Sequence, residues 1–248
     1  QGLNDKLIQE TFAQVCLHAC PALQFETTRP RIRQKRLKIG FVSNFFKNHS
    51  IGRLFGGCLP ELDREQFEVF LFRFDSPTDS LGLELQQQVE HTVILQKDLF
   101  QAREWIDGNQ LDVLVYLDIG MEPLTYFLAF ARLAPLQCVT WGCGSTTGLS
   151  TMDWFLSSRD LETEEASHYY TEQLIRLEHL LPYYPYPKFP SLAKNREELG
   201  LPQGHLARQQ GSRRRHSQVR DPGDVPQGIR RGVRRRRRVA AHQNRKEP

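Results

Sequence analysis

Short apolar runs alternate with amphipathic segments along most of this chain, and this alternation limits the folds open to it. Three runs are rich in β-branched and aromatic residues and are predicted to be buried strands: Leu37 to Ser43, Phe67 to Phe72 and Leu111 to Leu117. Weaker strands are predicted at Thr92 to Leu95, Gln137 to Trp141, Met152 to Leu156 and Leu174 to Leu177. Strands that alternate with helices predict an α/β fold, a Rossmann-like, doubly wound and mostly parallel sheet.

The intervening segments carry apolar residues at three- and four-residue intervals, which is typical of amphipathic helices. Helices are predicted over residues 3–18, 51–62, 100–107 and 123–130. The first is expected to end before Pro21. We interpret residues 1–26 as the helical end of a preceding region, and residues 37–182 as the sheet domain.

Three loops are predicted at the carboxyl ends of the strands, where such sheets bind ligands. The first contains His49, and the second runs from Asp118 to Met121. The third, Gly142 to Gly148, combines glycines, which let a ligand approach the backbone, with neutral hydroxyl groups. Its candidate binding residues are Gly142, Gly144, Thr146, Thr147 and Gly148. No GxGxxG or GxxxxGK[ST] spacing is present, which argues against a dinucleotide or phosphate loop of those types.

Each candidate has a structural alternative that the sequence leaves open. The glycine loop is also compatible with an ordinary turn, and Asp118 with a cap of the turn that follows its strand. His49 is compatible with a surface histidine of no special role, although histidine is the residue type most often used for proton transfer near neutral pH.

Cysteine usage and hydropathy exclude several classes. The five cysteines are odd in number and contain no CxxC pair, which argues against a disulfide scaffold or structural zinc. Cys16 and Cys20 share a helix face while His18 points elsewhere, so no metal is expected there. No run approaches the roughly 18 apolar residues of a membrane span, and the start has no signal-peptide pattern. We expect a cytoplasmic location, with the nucleus as alternative.

Two basic segments flank the predicted sheet. Residues 27–36 are predicted to be a solvated linker, because no aromatic side chains are interleaved for nucleic-acid bases to stack on. From Arg208 onward, fourteen basic residues minus three acidic ones give +11, so the rest of the chain carries −7. Residues 183–202 are predicted to be a Pro- and Tyr-rich linker. Residues 203–248 are predicted to be either a frameshifted gene end or a genuine disordered, Arg-rich tail.

The sequence resembles the catalytic region of the O-linked N-acetylglucosaminyltransferase family, which includes the plant SPINDLY-type enzymes. The matching segments are Lys38 to Ser43, Asn48-His49, Phe67 to Val69, Leu111 to Val115, and Ala134 to Gln137 running through Trp141-Gly142 and Thr146-Thr147-Gly148 to Asp153. They occur in family order over roughly residues 35–200. The segment Leu117 to Met121 is closer to bacterial and protist relatives.

This resemblance implies the first half of a GT-B fold, in which two Rossmann-like domains face each other across a cleft. It implies inverting transfer of N-acetylglucosamine from UDP-GlcNAc to protein Ser or Thr, without a metal or other cofactor. His49 would be the catalytic base or the group that positions the acceptor. Asp118 and the glycine loop would contact the sugar or the acceptor. The partners would be acceptor proteins and the nucleotide sugar. In the family, tetratricopeptide repeats often precede the catalytic region.

Two features depart from the family pattern. Cys143-Gly144 stand where close relatives often carry His-Pro or Tyr-Pro, which puts the positioning of the sugar in question. The second domain, which in the family supplies the uridine diphosphate contacts, should follow Gly200 and is not recognisable there. We therefore expect this chain to be inactive or nearly so when alone. A noncatalytic peptide-binding module, a nucleic-acid binder driven by the Arg-rich tail and an unrelated GT-B enzyme remain as alternatives, and the donor sugar is either N-acetylglucosamine or fucose.

Overall fold

A computed structural model describes residues 4–27, 29, 34–77, 79–180 and 182–183, together with Glu198 and Gly200. Contacts divide the chain into two units, Gln1–Pro187 and Lys188–Pro248, and every described helix and strand lies in the first. The predicted Arg-rich tail lies outside the described residues, as does most of the predicted linker 183–202.

Nine strands are described. In chain order they are β1 (Phe25–Glu26), β2 (Leu37–Val42), β3 (Phe67–Arg73), β4 (His91–Ile94), β5 (Val113–Tyr116), β6 (Ala131–Arg132), β7 (Leu136–Thr140), β8 (Trp154–Ser158) and β9 (Gln173–Leu177). Seven of them form one parallel sheet in the order β4-β3-β2-β5-β7-β8-β9, and β1 pairs only with β6. The order changes direction between β2 and β5, as in a doubly wound sheet. The predicted fold class is confirmed.

The helices are α1 (Asp5–Ala19), α2 (Ser50–Phe55), α3 (Cys58–Glu61), α4 (Ser80–Gln87), α5 (Leu99–Gly108) and α6 (Pro123–Leu128). The prediction of one continuous helix over residues 51–62 is wrong, because α2 and α3 are separated at Gly56 and Gly57. Glycine weakens the helix, and Pro60 has no N–H to donate to the carbonyl of Gly56. Instead, the Leu59 N–H donates to that carbonyl over 3.1 Å.

The sheet is covered on both faces, and each face has its own apolar core. Leu114 and Tyr116 of β5 belong to the core on one face, together with α1, α5 and α6. Val113 and Val115 belong to the core on the other face, together with α2, α3 and α4. Successive side chains of a strand point to opposite faces, so a strand buried on both sides must be apolar throughout. This is the reason β5 is a continuous run of hydrophobic residues.

Helix α1 packs where a crossover helix would normally lie. The connection from β7 to β8 contains no helix, and α1 contributes the buried Ala13 to the core that also holds Leu149 and Met152 of that connection. The side chain of Thr171 donates to Oε1 of Glu10 over 3.0 Å. The start of the described chain is therefore packed against the last third of the sheet.

Candidate active site

Side-chain hydrogen bonds join the carboxyl ends of β2 and β5, the point where the strand order changes direction. Ser43 follows β2, and its hydroxyl donates to Oδ2 of Asp118 over 3.0 Å. The backbone N–H of Asn44 donates to the same oxygen over 2.8 Å. One carboxylate oxygen thus ties together the first two predicted loops. Open α/β sheets bind their ligands at this position.

The Asp118 carboxyl is fully buried, at 0% exposure, and only half used. Its second oxygen, Oδ1, has no hydrogen-bond partner among the described residues, and neither has the side-chain oxygen of Asn44. Burial raises the pKa of Asp118 to about 6, against hydrogen bonds from Asn44 and Ser43 that lower it. The Thr125 side chain also lowers the pKa of Asp118. In the structure its hydroxyl donates to the carbonyl of Glu122 over 3.0 Å. A buried carboxyl with a spare oxygen and a pKa in this range is suited to accept a substrate proton.

His49 lies on the same edge of the sheet and caps α2. Its Nδ1 accepts a hydrogen bond from the backbone N–H of Ile51 over 3.3 Å. Its ring is stacked on Phe45, with 4.2 Å between the ring centroids. The Phe45 N–H in turn donates to the hydroxyl of Ser43 over 2.9 Å, so a chain of contacts links His49 to the Asp118 junction.

The cap has a chemical consequence for the histidine ring. A neutral imidazole carries one proton, and an Nδ1 that accepts a hydrogen bond leaves that proton on Nε2. In this arrangement Nε2 of His49 is a donor. It can hold an acceptor or sugar oxygen, but it can take a proton from a hydroxyl only after its contact with Ile51 is broken.

The first half of the glycine loop is pressed against the Asp118 loop. A Cβ added at Gly142 would lie 1.9 Å from the carbonyl oxygen of Leu117, so the two backbones are in close contact. A Cβ added at Gly120 would lie 2.9 Å from that of Cys143. Gly144, by contrast, has nothing within 4 Å of its added Cβ and faces open space.

The second half of the loop leaves this edge and lies over the face of the sheet. Thr146 and Thr147 are both 3% exposed, and their hydroxyls donate to the carboxylate of Glu172, which directly precedes β9. Gly148 has a φ of 72°, and its added Cβ would lie 2.3 Å from the backbone of Gln9 in α1. These contacts give Thr146, Thr147 and Gly148 structural partners, and their predicted contact with a sugar stays a prediction.

The structure therefore brings together some of the predicted residues and separates others. Asp118 and Gly142 are neighbours at the sheet edge. His49 is connected to this junction indirectly, because its ring stacks on Phe45 and the Phe45 N–H donates to Ser43. Thr146 and Thr147 are bound to Glu172 instead. The sequence reasoning missed a further set of residues, namely Ser43, Asn44 and Glu172. The signal for the first two was their place directly after the strongest early strand; no signal in the sequence pointed to Glu172.

The described part of the chain bears on two further properties, metal ligation and membrane insertion. Among its residues, no group of three or more His, Cys, Asp and Glu side chains is placed to hold a metal ion. In the same residues, none of the helices has the length and apolar character needed to cross a bilayer.

Residues 3–182 match the family model described as Glycosyl transferase family 41. This range contains the whole sheet, the Asp118 junction and α1. The chain therefore belongs to this family of glycosyltransferases.

Curated relatives agree with this assignment. The chain is 25% identical over 177 residues to a protein of Arabidopsis thaliana named probable UDP-N-acetylglucosamine–peptide N-acetylglucosaminyltransferase SEC, an alignment that covers 68% of this chain and 18% of the relative. It is 26% identical over 198 residues to the probable transferase SPINDLY of Oryza sativa subsp. japonica, covering 76% and 21%. The chain thus spans about a fifth of the length of these relatives.

A solved structure shows the same fold. The chain superposes on the O-GlcNAc transferase of Thermobaculum terrenum, a lysine-to-methionine mutant, with a TM-score of 0.63 at 22% identity. The match covers 73% of this chain and 36% of that one. The Rossmann-like sheet is thus similar to one part of an O-GlcNAc transferase fold.

Proposed function

We propose that residues 37–182 form the acceptor-side half of a protein O-GlcNAc transferase site. In the proposed reaction a Ser or Thr hydroxyl oxygen attacks the anomeric carbon of UDP-GlcNAc. The bond from that carbon to the diphosphate breaks with inversion, uridine diphosphate leaves, and the hydroxyl proton passes to a base. Such a site must hold the acceptor in line, remove its proton and stabilise the leaving group.

The junction of Ser43, Asn44 and Asp118 carries this proposal. It lies at the carboxyl ends of β2 and β5, between which the strand order changes direction, and it holds a buried carboxylate whose Oδ1 has no partner among the described residues. Leaving such a group unpaired costs about 1–3 kcal/mol, so its presence favours a functional role for the spare oxygen. We assign to Asp118 the binding of the acceptor hydroxyl or of a sugar hydroxyl.

His49 is assigned to positioning rather than to proton removal. Its Nδ1 is engaged by the Ile51 N–H, so Nε2 is a donor that can hold an oxygen of the sugar or acceptor. Asp118 is assigned to proton removal, because its Oδ1 has no partner among the described residues whereas Nδ1 of His49 is engaged. Gly144 would let the sugar approach the loop backbone, whereas the missing side chain of Gly142 makes room for the backbone of Leu117.

The leaving group needs positive charge that this junction does not supply. Among the described residues, no basic side chain makes a hydrogen bond or ion pair with Ser43, Asn44 or Asp118. We place the diphosphate-binding groups in the second half of the cleft, outside residues 37–182. We also propose that α1 is the last helix of a preceding helical region and that residues 27–36 link it to the sheet domain.

A transfer assay with radiolabelled UDP-GlcNAc and a peptide mixture tests whether the site is incomplete. The purified chain and its His49→Ala variant should both give no transfer above a control without protein, because the proposed half site supplies no group that binds the diphosphate. His49→Asn is the matched variant, since asparagine retains the helix cap but lacks Nε2. Robust turnover by the wild-type chain that is lost in both variants would contradict the claim of a half site.

Binding tests the proposed function independently of turnover. Titration with UDP-GlcNAc should shift the amide NMR signals of residues 43–46, 118–121 and 142–145, and N-acetylglucosamine alone should shift a subset of them. GDP-fucose at the same concentration separates the two donor sugars. If neither nucleotide sugar, nor N-acetylglucosamine, shifts these signals, the assignment of this edge as a sugar site fails.

A further inference from the structure

Glu172 is a buried carboxylate that no described cation neutralises. It is 4% exposed, and none of the ion pairs among the described residues includes it. Its Oε2 accepts from the hydroxyl of Thr146 over 2.7 Å, and its Oε1 accepts from the backbone N–H of Thr147 over 2.9 Å. The Thr147 hydroxyl also donates to Oε1.

All three donors come from two consecutive residues of the glycine loop, which makes the arrangement specific to that loop. A buried charge is tolerated only when hydrogen bonds replace its lost hydration. The carboxylate therefore needs the loop in this conformation, and the loop is held by the carboxylate in return. Two further bonds extend the network, since the Thr171 N–H donates to the Thr146 hydroxyl over 2.9 Å and the Leu149 N–H to that of Thr147 over 3.2 Å.

The anchored threonines lie directly after the part of the loop that faces the Asp118 junction. That part, Gly142 to Ser145, begins two residues after the end of β7 and finishes one residue before Thr146, the first residue bound to Glu172. Only four residues thus span two fixed points. Gly144 is exposed, and nothing lies within 4 Å of its added Cβ, so we infer that its position depends on these ends.

We propose that Glu172 is a positioning residue that fixes the segment Gly142 to Ser145 against the Asp118 loop and so sets the shape of the sugar-facing edge. The proposal rests on the proposed function for the identity of the ligand. The proposal goes beyond that function because it assigns a role to Glu172, a residue of the connection from β8 to β9 that does not itself touch the ligand.

The test compares Glu172→Gln with Glu162→Gln in the full chain. Glu162 is a matched control, because it accepts from the hydroxyls of Ser157 and Tyr170 in the same part of the molecule without contacting the loop. In Glu172→Gln the amide NMR signals of Gly142 to Ser145, and of Gly120 across from them, should broaden or double. Where the wild type binds UDP-GlcNAc, the affinity should fall about tenfold, because apparent affinity falls in proportion to the population of the binding-competent loop, and we expect that population to drop to about a tenth. Glu162→Gln should change neither quantity.

A merely structural role would give a different pattern. Glu172→Gln would then perturb only its direct partners Thr146, Thr147 and Thr171, leave Gly142 to Ser145 unchanged, and overturn the proposal. If the wild type fails to bind UDP-GlcNAc, the proposed function fails, while the amide signals still decide whether Glu172 positions the loop. If Glu172→Gln does not fold, Thr147→Val replaces it in the test, because this substitution removes one donor and retains the carboxylate. It should perturb the same amide signals, Gly142 to Ser145 and Gly120, by smaller amounts.

Discussion

Gly142→Ala should lower the free energy of unfolding by about 3 kcal/mol or more. The added Cβ would lie 1.9 Å from the carbonyl oxygen of Leu117 and 2.9 Å from the Cα of Asp118. Both are backbone atoms, which cannot move aside as a side-chain end can. The substitution must therefore separate two loops at the junction of β5 and β7. Urea denaturation followed by far-UV circular dichroism measures the loss.

Gly144→Ala is the matched control, two residues further along the same loop. Nothing lies within 4 Å of its added Cβ, and its backbone does not have a positive φ. Its free energy of unfolding should stay within about 0.5 kcal/mol of the wild type. Equal losses in the two variants would show that the glycine loop is sensitive to any side chain, and that the close contact with Leu117 is not the cause.

Asp118→Asn should stabilise the protein at neutral pH and should remove a pH dependence. Burial raises the pKa of Asp118 to about 6, whereas the unfolded chain has the ordinary value of 3.8. Between these values the folded state binds more protons than the unfolded state, so stability falls as the pH rises. The contribution of this carboxyl is fully present below about pH 4 and is lost as the pH passes 6. At pH 7.5 the ionised form costs on the order of 3 kcal/mol, from 1.36 kcal/mol per pKa unit.

Asparagine retains one oxygen for Ser43 and Asn44 and carries no charge, but its amide N–H groups lack an assured partner at the Oδ1 position. We therefore expect a net gain of about 2 kcal/mol at pH 7.5 that disappears near pH 4. Denaturation curves at both pH values measure it. Asp79 provides the opposite case: hydrogen bonds from the Asn48 and Gly82 N–H groups lower its pKa, so Asp79→Asn should lose stability at neutral pH. A gain for Asp118→Asn of the same size at pH 4 would contradict the ionisation argument.

A stabilised Asp118→Asn protein would separate stability from function. A carboxylate that costs free energy and has an unused oxygen is the pattern expected where a protein retains a strained group for activity. The variant should fold better and should bind a hydroxyl-bearing ligand less well. The amide-shift titration described above measures the second effect on the same samples.

The sheet could be predicted from the sequence because its strands are buried on both faces. Such strands are continuous apolar runs, as is Val113 to Leu117 within the predicted strand Leu111 to Leu117. Helix α4 was missed for the converse reason. Its leucines at 81, 83 and 85 alternate, as in a strand, and only Leu85 is buried while Leu83 is half exposed. The helix begins with an N-cap, Asp79, whose side chain accepts from the Gly82 N–H over 2.7 Å. This cap indicates the helix more clearly than the apolar pattern does.

Part of the site could be predicted from the sequence, and there is a physical reason for which residues could be inferred and which could not. The place of Asp118 follows from the rule that strand ends meet at one edge of a parallel sheet, so its neighbourhood could be inferred. Its partners Ser43 and Asn44 could have been inferred from the same rule. Glu172 could not, because it acts across the sequence on Thr146 and Thr147, 25 or 26 residues away, and no local pattern reports such a contact.

The packing of α1 fixes an order of events during folding. Its residues are synthesised before those of the sheet, yet three of their packing partners, Gly148, Leu149 and Thr171, lie about 120 or more residues later in the chain by their numbers. Contacts this distant in sequence are slow to form. During synthesis the face of α1 that packs on these residues therefore stays uncovered until the chain has passed Thr171. The exposed Leu7 and Ile8 would extend that uncovered surface, so the nascent chain at this stage should be a preferred substrate of chaperones.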